Sequence, residues 1–383
     1  MRSRIATTVA VFAAAGAMAL AGCGSSGGKS KGGGLGGGGS NTNTASNSSG
    51  NGGSEPTYTI GLEMPLSGAN AQLGINEEYG VEVAVAQANA NKSLGFKINL
   101  VKSDDEGDPT KSPAAANQLV QNKSILGIIG PAFSGNTTAS GPIFNAAKIP
   151  FITPSATNAT LGTHGWKYYH RIVPNDNVEG SQGADWLVRH GVKDLFVLQD
   201  LSTYGKGVGD TVAKEAKAKG IKVTEQGLDG TSTSNYNPIA QTIAASGADG
   251  LFYGGYDAQA ALLAKALAGA GFKGVMVGGN GIKSSIFTKN SGAAGNGWYM
   301  TCGCQDATVA PAAKAFNTAY QAMFHTPPST YSPEAFDATN VLIQAIKNAG
   351  ANPTTASVED ALNKIDYKGI TTEIKFQANG EIA

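Results

Sequence analysis

The sequence is poor in the residues that most enzymes and metal sites require. It has 3 cysteines and 4 histidines in 383 residues. No two of the histidines have the spacing of metal ligands on one helix; they are His164, His170, His190 and His325. The sequence also lacks a G-x-G-x-x-G turn, a Walker A loop and a G-x-S-x-G elbow. We therefore predict no catalytic residue, no metal and no cofactor.

An excess of charge is also absent. The 28 basic and 28 acidic residues balance, and the basic residues form no stripe. Proteins that bind nucleic acids or other polyanions carry a clustered positive surface. We therefore expect no nucleic-acid partner, and we expect a monomer.

The first apolar run is too short to span a membrane comfortably. Residues 5–21 are apolar, follow Arg2 and Arg4, and end in small residues, as a secretory signal does. The tetrapeptide from Leu20 to Cys23 resembles a bacterial lipoprotein box, which implies a signal peptide over 1–22 and acyl chains on Cys23. The alternative is a plain signal peptide with an incidental cysteine.

Residues 23–56 are rich in glycine, serine and asparagine. Such a segment cannot bury enough apolar surface to fold, so we predict a flexible, lipid-anchored linker. The protein is then expected on the outer face of the cytoplasmic membrane, either extracellular or periplasmic.

From Thr57 onward, strand-like and helix-like segments alternate. Alternating apolar residues over 58–62 and 96–100 predict strands, and apolar residues at helical spacing over 81–88 predict a helix. Residues 171–180 interrupt the alternation, and a second series follows. The pattern predicts an α/β fold with two doubly wound parallel-sheet lobes. Apolar helical faces are expected to include Leu262 and Met323.

Two predicted strands end in loops rich in hydroxyl groups. Residues 125–129 lead to Ser134 and Thr137, and residues 149–152 lead to Ser155 and Thr157. Open α/β sheets bind ligands at the carboxyl ends of their strands, where hydroxyls and helix-start N–H groups suit a small anion such as a carboxylate. The alternative is that these residues are ordinary caps and turns.

Two further clusters have more than one interpretation. Cys302 and Cys304 either form a disulfide or remain free thiols, and their spacing does not match a C-x-x-C redox motif. Residues 104–109 are acidic but lack the spacing of a calcium loop, so we predict a solvated turn before a helix.

Several short stretches, in order, resemble the extracytoplasmic leucine/isoleucine/valine-binding proteins of ATP-driven importers. The resemblance covers nearly everything from Thr57 to Ile382. Its stretches are Pro65-Leu66-Ser67-Gly68, Ser103-Asp104-Asp105, Ile128-Ile129-Gly130, Ile152 to Thr157, Arg171 to Asp176, Tyr204-Gly205 and Tyr253 to Tyr256. It implies the type I periplasmic-binding fold, with one lobe over 57–174 plus 306–370, the other over 175–305, and a C-terminal strand region over 371–383.

The resemblance also implies a ligand site between the lobes. The ligand carboxylate is then held by Ser134, Ser155 and Thr157, and the second lobe closes with Tyr204 and Tyr256. Asn280 stands where leucine binders place a glutamate against the ligand ammonium. Either Asp200 or Asp257 substitutes for that glutamate, or the ligand is not an α-amino acid. Leu73 replaces a common aromatic residue. The sequence ends before the usual closing strands, so we expect the third hinge crossing to be missing or rebuilt.

The resulting functional hypothesis is a solute-binding lipoprotein of an ATP-binding-cassette importer. Its ligand is predicted to be a branched-chain or similar small amino acid, and its partner a membrane permease. One alternative is a ligand-sensing receptor component of the same fold that binds an amide or a small carboxylate. Another alternative is an extracellular hydrolase, which the missing motifs disfavour.

Overall fold

A computed structural model describes residues 55–383 of the chain. The predicted signal peptide, Cys23 and nearly all of the predicted linker lie outside these residues. The strands are β1 Thr57–Met64, β2 Lys97–Asp104, β3 Ile125–Ile129, β4 Phe151–Thr153, β5 Tyr169–Arg171, β6 Asp194–Gln199, β7 Lys222–Gly227, β8 Gly250–Gly254, β9 Val275–Gly278, β10 Trp298–Met300, β11 Tyr367–Lys368 and β12 Glu373–Ile374. The helices are α1 Ala71–Ala90, α2 Ser112–Gln121, α3 Ser134–Ala147, α4 Asp176–Arg189, α5 Thr203–Ala218, α6 Asn237–Ala245, α7 Asp257–Ala270, α8 Ser285–Ser291, α9 Lys314–Phe324, α10 Ser332–Asn348 and α11 Thr355–Leu362.

The first sheet has the strand order β2-β1-β3-β4-β5 and is wholly parallel. Its strands are short, largely apolar runs, as expected for a sheet covered on both faces. Ile60 and Leu62 of β1 pack in one buried cluster with Ile129 of β3 and with Val341 of α10. This sheet forms the core of lobe 1.

The second sheet repeats that order as β7-β6-β8-β9-β10 and is also wholly parallel. Helices α4 to α8 surround it, and residues such as Phe196, Leu251 and Phe252 are fully buried. The observed architecture is therefore the predicted one, two parallel-sheet α/β lobes. Each lobe presents the carboxyl ends of its strands as one edge, where ligand sites form.

The C-terminal helices return to lobe 1. Helix α10 packs along α1 and against β3, while α9 contacts α1 and α11 contacts α10. The approach of α10 to α1 is close: a Cβ at Gly80 would lie 2.1 Å from the Ser332 carbonyl oxygen. Glycine at this position therefore allows the start of α10 to lie directly against the middle of α1.

Two chain segments cross between the lobes, at residues 172–175 and 301–306. Cys302 and Cys304 in the second segment are joined by a disulfide. Gly303 between them faces Pro174 of the first segment, so the two crossings lie side by side. Near the end of the chain, Glu381 forms a buried ion pair with Arg171 at 2.6 Å, which attaches the last residues to β5.

Some local predictions were wrong. Leu262 and Met323 are 44% and 41% exposed. In α7 the buried residues, among them Ala260, Ala264 and Leu267, lie on the side of the helix opposite Leu262. Asp105 is fully buried instead of solvated and accepts the Gly107 N–H at 2.9 Å. Within residues 55–383, the helices are all too short or too polar to cross a bilayer.

Candidate ligand-binding site

A small enclosed cavity lies between the two lobes. Its volume is about 20 Å³, enough for about one water molecule. An amino acid therefore enters only when the lobes separate or the walls rearrange. The walls combine residues of both lobes: Leu73, Glu77, Ala132, Phe133, Ser134, Ser155, Tyr204, Tyr256, Asn280, Gly281 and Tyr331.

On the lobe 1 side, the predicted hydroxyl loops lie beside the start of α3. The helix begins at Ser134, so Ser134 occupies its first turn. The Ser134 hydroxyl accepts the Asn158 N–H at 3.1 Å, which ties the second loop to the helix start. The positive end of the helix dipole and a buried hydroxyl are thus combined at the cavity wall.

The other two predicted hydroxyls have different surroundings. Ser155 donates to the Ala132 carbonyl at 2.8 Å and contacts Glu77 Oε2 at 3.0 Å, so it is already bonded within lobe 1. Thr157 is 1% exposed and is not part of the cavity wall. Its hydroxyl has no hydrogen-bond partner in the described part of the chain.

The lobe 2 side is formed by the two predicted tyrosines. The Tyr204 hydroxyl accepts the Gly281 N–H at 3.1 Å, and its ring lies 5.4 Å from that of Tyr256. Tyr256 in turn packs on Phe133 of lobe 1 with ring centroids 4.5 Å apart. The aromatic contact therefore joins the two lobes at the cavity.

Asn280 is held by a carboxylate that the sequence did not reveal. Glu179 of α4 accepts the Asn280 N–H at 2.9 Å, the Asn280 side-chain amide, and the Thr301 hydroxyl at 2.7 Å. Glu179 is 4% exposed, and burial raises the pKa of its carboxyl. A carboxyl group thus lies directly behind Asn280, one residue further from the cavity.

The acidic residues expected to substitute for the missing glutamate lie elsewhere. Asp257 bonds the Ser284 hydroxyl, and Asp200 accepts the Ser202 N–H at 2.9 Å. Neither is part of the cavity wall. Both aspartates instead form local hydrogen bonds around the starts of helices. The sequence offered one indication that Glu179 belongs to the site, because Glu179 lies in the 171–180 segment that interrupts the α/β alternation.

Two further carboxyls are buried near the junction of the lobes. Burial, with repulsion from Glu179, raises the pKa of Asp176 to about 8. Neither carboxyl oxygen of Asp176 has a hydrogen-bond partner among residues 55–383. Burial raises the pKa of Glu334 to about 8, although Glu334 accepts the Gln305 N–H at 2.6 Å. Both groups are therefore largely protonated at neutral pH.

The lobes are closed on each other in this structure. The Asn158 side-chain amide donates to the Thr203 carbonyl at 2.7 Å, and the Asp176 N–H donates to the Thr157 carbonyl at 2.8 Å. Thr330 also bonds the Lys283 carbonyl. In the described part of the chain, no group of three or more His, Cys, Asp or Glu residues is arranged to hold a metal ion.

The comparison that decides the family is a match over residues 57–383 to the family described as periplasmic binding protein. The chain belongs to this family. The family consists of solute-binding proteins that are not enzymes, which excludes the hydrolase alternative. The match includes all the residues of both sheets and of the cavity wall.

Named relatives and solved structures agree with this assignment. The chain is 28% identical over 333 residues to a leucine-, isoleucine-, valine-, threonine-, and alanine-binding protein of Pseudomonas aeruginosa, covering 85% of this chain and 87% of that protein. It is 30% identical over 319 residues to Leu/Ile/Val-binding protein homolog 3 of Brucella melitensis, covering 82% and 85%.

Among solved structures, a leucine-binding protein of Thermotoga maritima superposes with a TM-score of 0.79 at 23% identity, covering 85% of this chain and 93% of that chain. A branched-chain amino acid transporter substrate-binding protein of Streptococcus pneumoniae in complex with isoleucine gives 0.78 at 24%, with the same coverage. These likenesses confirm the fold.

Proposed function

We propose that this periplasmic binding protein captures a small zwitterionic amino acid, branched-chain or similar, between its lobes and delivers it to a membrane importer. The observation that carries the proposal is the composition of the cavity wall. Lobe 1 contributes Ser134 at a helix start, while lobe 2 contributes Tyr204, Tyr256 and Asn280. The names of the relatives support the class of ligand, since they bind leucine, isoleucine and valine.

The two charged groups of an amino acid have matching partners on opposite lobes. The helix start and Ser134 suit the α-carboxylate. The Glu179–Asn280 pair suits the ammonium, because the Asn280 amide oxygen accepts a hydrogen bond and the buried Glu179 supplies negative charge behind it. A ligand that contacts both lobes stabilises the closed form by its extra affinity for that form.

We further propose that Cys23 carries the lipid anchor and that residues 23–56 are the tether. The lipoprotein box and the glycine-rich composition of the linker support this part of the proposal. Mass spectrometry of the protein isolated from membranes tests it. We expect an acylated Cys23 at the N-terminus, and a mature N-terminus elsewhere without acyl chains would contradict it.

Calorimetric titration of the purified protein with leucine, isoleucine, valine, threonine, alanine, acetamide and isovalerate tests the proposed ligand class. We expect at least one α-amino acid to bind with a micromolar or lower Kd. Isovalerate is valine without its α-ammonium group, so it should bind more weakly than valine. If every compound fails to bind below millimolar concentration, the proposal is wrong.

A further inference from the structure

The cavity wall carries more polar groups than an amino acid backbone requires. Ser134, Tyr204, Tyr256 and Asn280 already account for the two charged ends of such a ligand. Glu77 and Tyr331 remain, and both lie in the same wall. They are 1% and 4% exposed, so water does not solvate them from outside the cavity.

Glu77 is brought to this wall by helix α1. It lies one turn after Leu73, which also lines the cavity, because residues four apart share a helix face. The next residue on that face, Gly80, contacts the backbone of Ser332 at the start of α10. The close packing of α1 on α10 therefore places Glu77 beside Tyr331, which immediately precedes α10.

Tyr331 carries two costs that lobe 1 packing alone does not require. Its hydroxyl is buried and has no hydrogen-bond partner within residues 55–383. A buried unpartnered hydroxyl costs about 1–3 kcal/mol. Its backbone is also in the left-handed region, with a φ of 62°, which bulky residues rarely adopt. Phenylalanine at this position would avoid the cost of the unpartnered hydroxyl, so the hydroxyl group is the feature that indicates a ligand contact.

The surroundings of this hydroxyl are acidic. Glu77, Glu179, Glu334 and Asp176 all act electrostatically on Tyr331. Carboxyl oxygens accept hydrogen bonds, and a tyrosine hydroxyl both donates and accepts. An aliphatic ligand side chain cannot form a hydrogen bond with Glu77 or with the Tyr331 hydroxyl. Both groups would then stay unpaired in the complex, and unpaired buried polar groups weaken binding strongly.

We propose that Glu77 and Tyr331 form a polar subsite that selects ligands whose side chain ends in a hydroxyl or an amide over their aliphatic isosteres. This inference rests on the proposed function, since it assigns the side-chain end of the amino acid bound there. Ser155, which bonds Glu77, completes the subsite and keeps that carboxyl oriented.

Two isosteric pairs of amino acids test the subsite by calorimetry on the purified full chain. Threonine and valine differ by a hydroxyl in place of a methyl group, and asparagine and leucine differ by an amide in place of an isopropyl group. We expect threonine to bind at least about tenfold more tightly than valine, or asparagine more tightly than leucine by the same factor. If both aliphatic members bind equally or more tightly, the inference is wrong while the proposed function stands.

Variants of Glu77 and Tyr331 test whether these two residues cause the preference for polar side chains. Tyr331→Phe and Glu77→Gln should each reduce the preference for the polar isostere by about tenfold. Tyr169→Phe is the matched control, because the Tyr169 hydroxyl is also buried and unpartnered but lies in the lobe 1 core away from the cavity. An unchanged preference in Tyr331→Phe and Glu77→Gln would overturn the inference. If none of these four amino acids binds wild-type protein, and neither isoleucine nor alanine does, the proposed function itself fails.

Discussion

At the scale of single residues, the position hardest to interpret was Asn280, and the structure supplies its missing context. The sequence placed a neutral amide where the resemblance implies a carboxylate. In the structure, the Glu179 carboxyl group, 101 residues earlier, bonds both the Asn280 N–H and its side chain. Pairing over that separation depends on how β9 and α4 pack, and no local pattern in the sequence carries this information.

The role of Glu179 can be tested by removing its charge alone. Glu179→Gln keeps the hydrogen-bonding shape and should weaken amino-acid binding by about 1–3 kcal/mol, because the ammonium loses a charged partner. Binding of isovalerate should not weaken. Glu359→Gln is the control, because Glu359 is 7% exposed and bonds His170 at 3.1 Å, away from the cavity. Equal losses for both ligands would contradict the assigned role.

Asp176 predicts a pH dependence of stability. Its pKa is about 8 in the folded protein, well above the ordinary value of 3.8, so between these values the folded state binds more protons than the unfolded state. Stability should therefore fall as the pH rises from about 4 to about 8. Thermal unfolding of Asp176→Asn should show a smaller loss over that range than wild type. Asp185→Asn, on the exposed face of the same helix, should follow wild type, and identical profiles for all three would refute the prediction.

At the scale of elements, the sequence predicted most of the fold because strand and helix periodicities are local. Both parallel sheets follow from that alternation. Periodicity failed where contacts with residues distant in the sequence determine burial. Asp105 was expected in solvent, but the turn that contains it lies under Pro65 and Phe133. Ser155 lies in the cavity wall, but the local pattern did not indicate that its hydroxyl bonds Glu77 on a different helix.

The start of helix α3 and the following loop carry the predicted carboxylate site. Ser134→Ala should weaken amino-acid binding by about 1–3 kcal/mol while leaving the thermal midpoint nearly unchanged, because it removes a hydrogen bond to a charged group. Thr138→Ala is the control on the same helix, since its hydroxyl donates to the Ser134 carbonyl at 2.9 Å. Wild-type affinity in Ser134→Ala would place the carboxylate elsewhere.

At the scale of the whole molecule, the proposed function depends on closure of the two lobes. Phe133 and Tyr256 stack across the interface, and Asn158 bonds the start of α5 beside them. The sequence indicated two lobes but not which residues touch between them. Contacts between lobes depend on the relative orientation of two independently folded sheets, which local patterns do not specify.

Tyr256 should control closure more than folding. Tyr256→Ala removes the ring that packs on Phe133, so the closed form loses contact area while each lobe keeps its core. Small-angle scattering should show a ligand-induced decrease in the radius of gyration for wild type and a smaller decrease at the same amino-acid concentration for the variant. Tyr299→Ala, at a half-exposed position on lobe 2, should behave as wild type. A full decrease in Tyr256→Ala would show that this contact does not drive closure.

The central claim is that one amino acid is bound between the lobes with its carboxylate on lobe 1 and its ammonium on lobe 2. A crystal structure of the protein with the amino acid that binds most tightly in calorimetry tests it directly. We predict a carboxylate within hydrogen-bonding distance of Ser134 and an ammonium facing Asn280, with Glu179 behind it. A ligand found outside the cavity lined by Phe133 and Tyr256, or bound with its ammonium toward Ser134, would contradict the account.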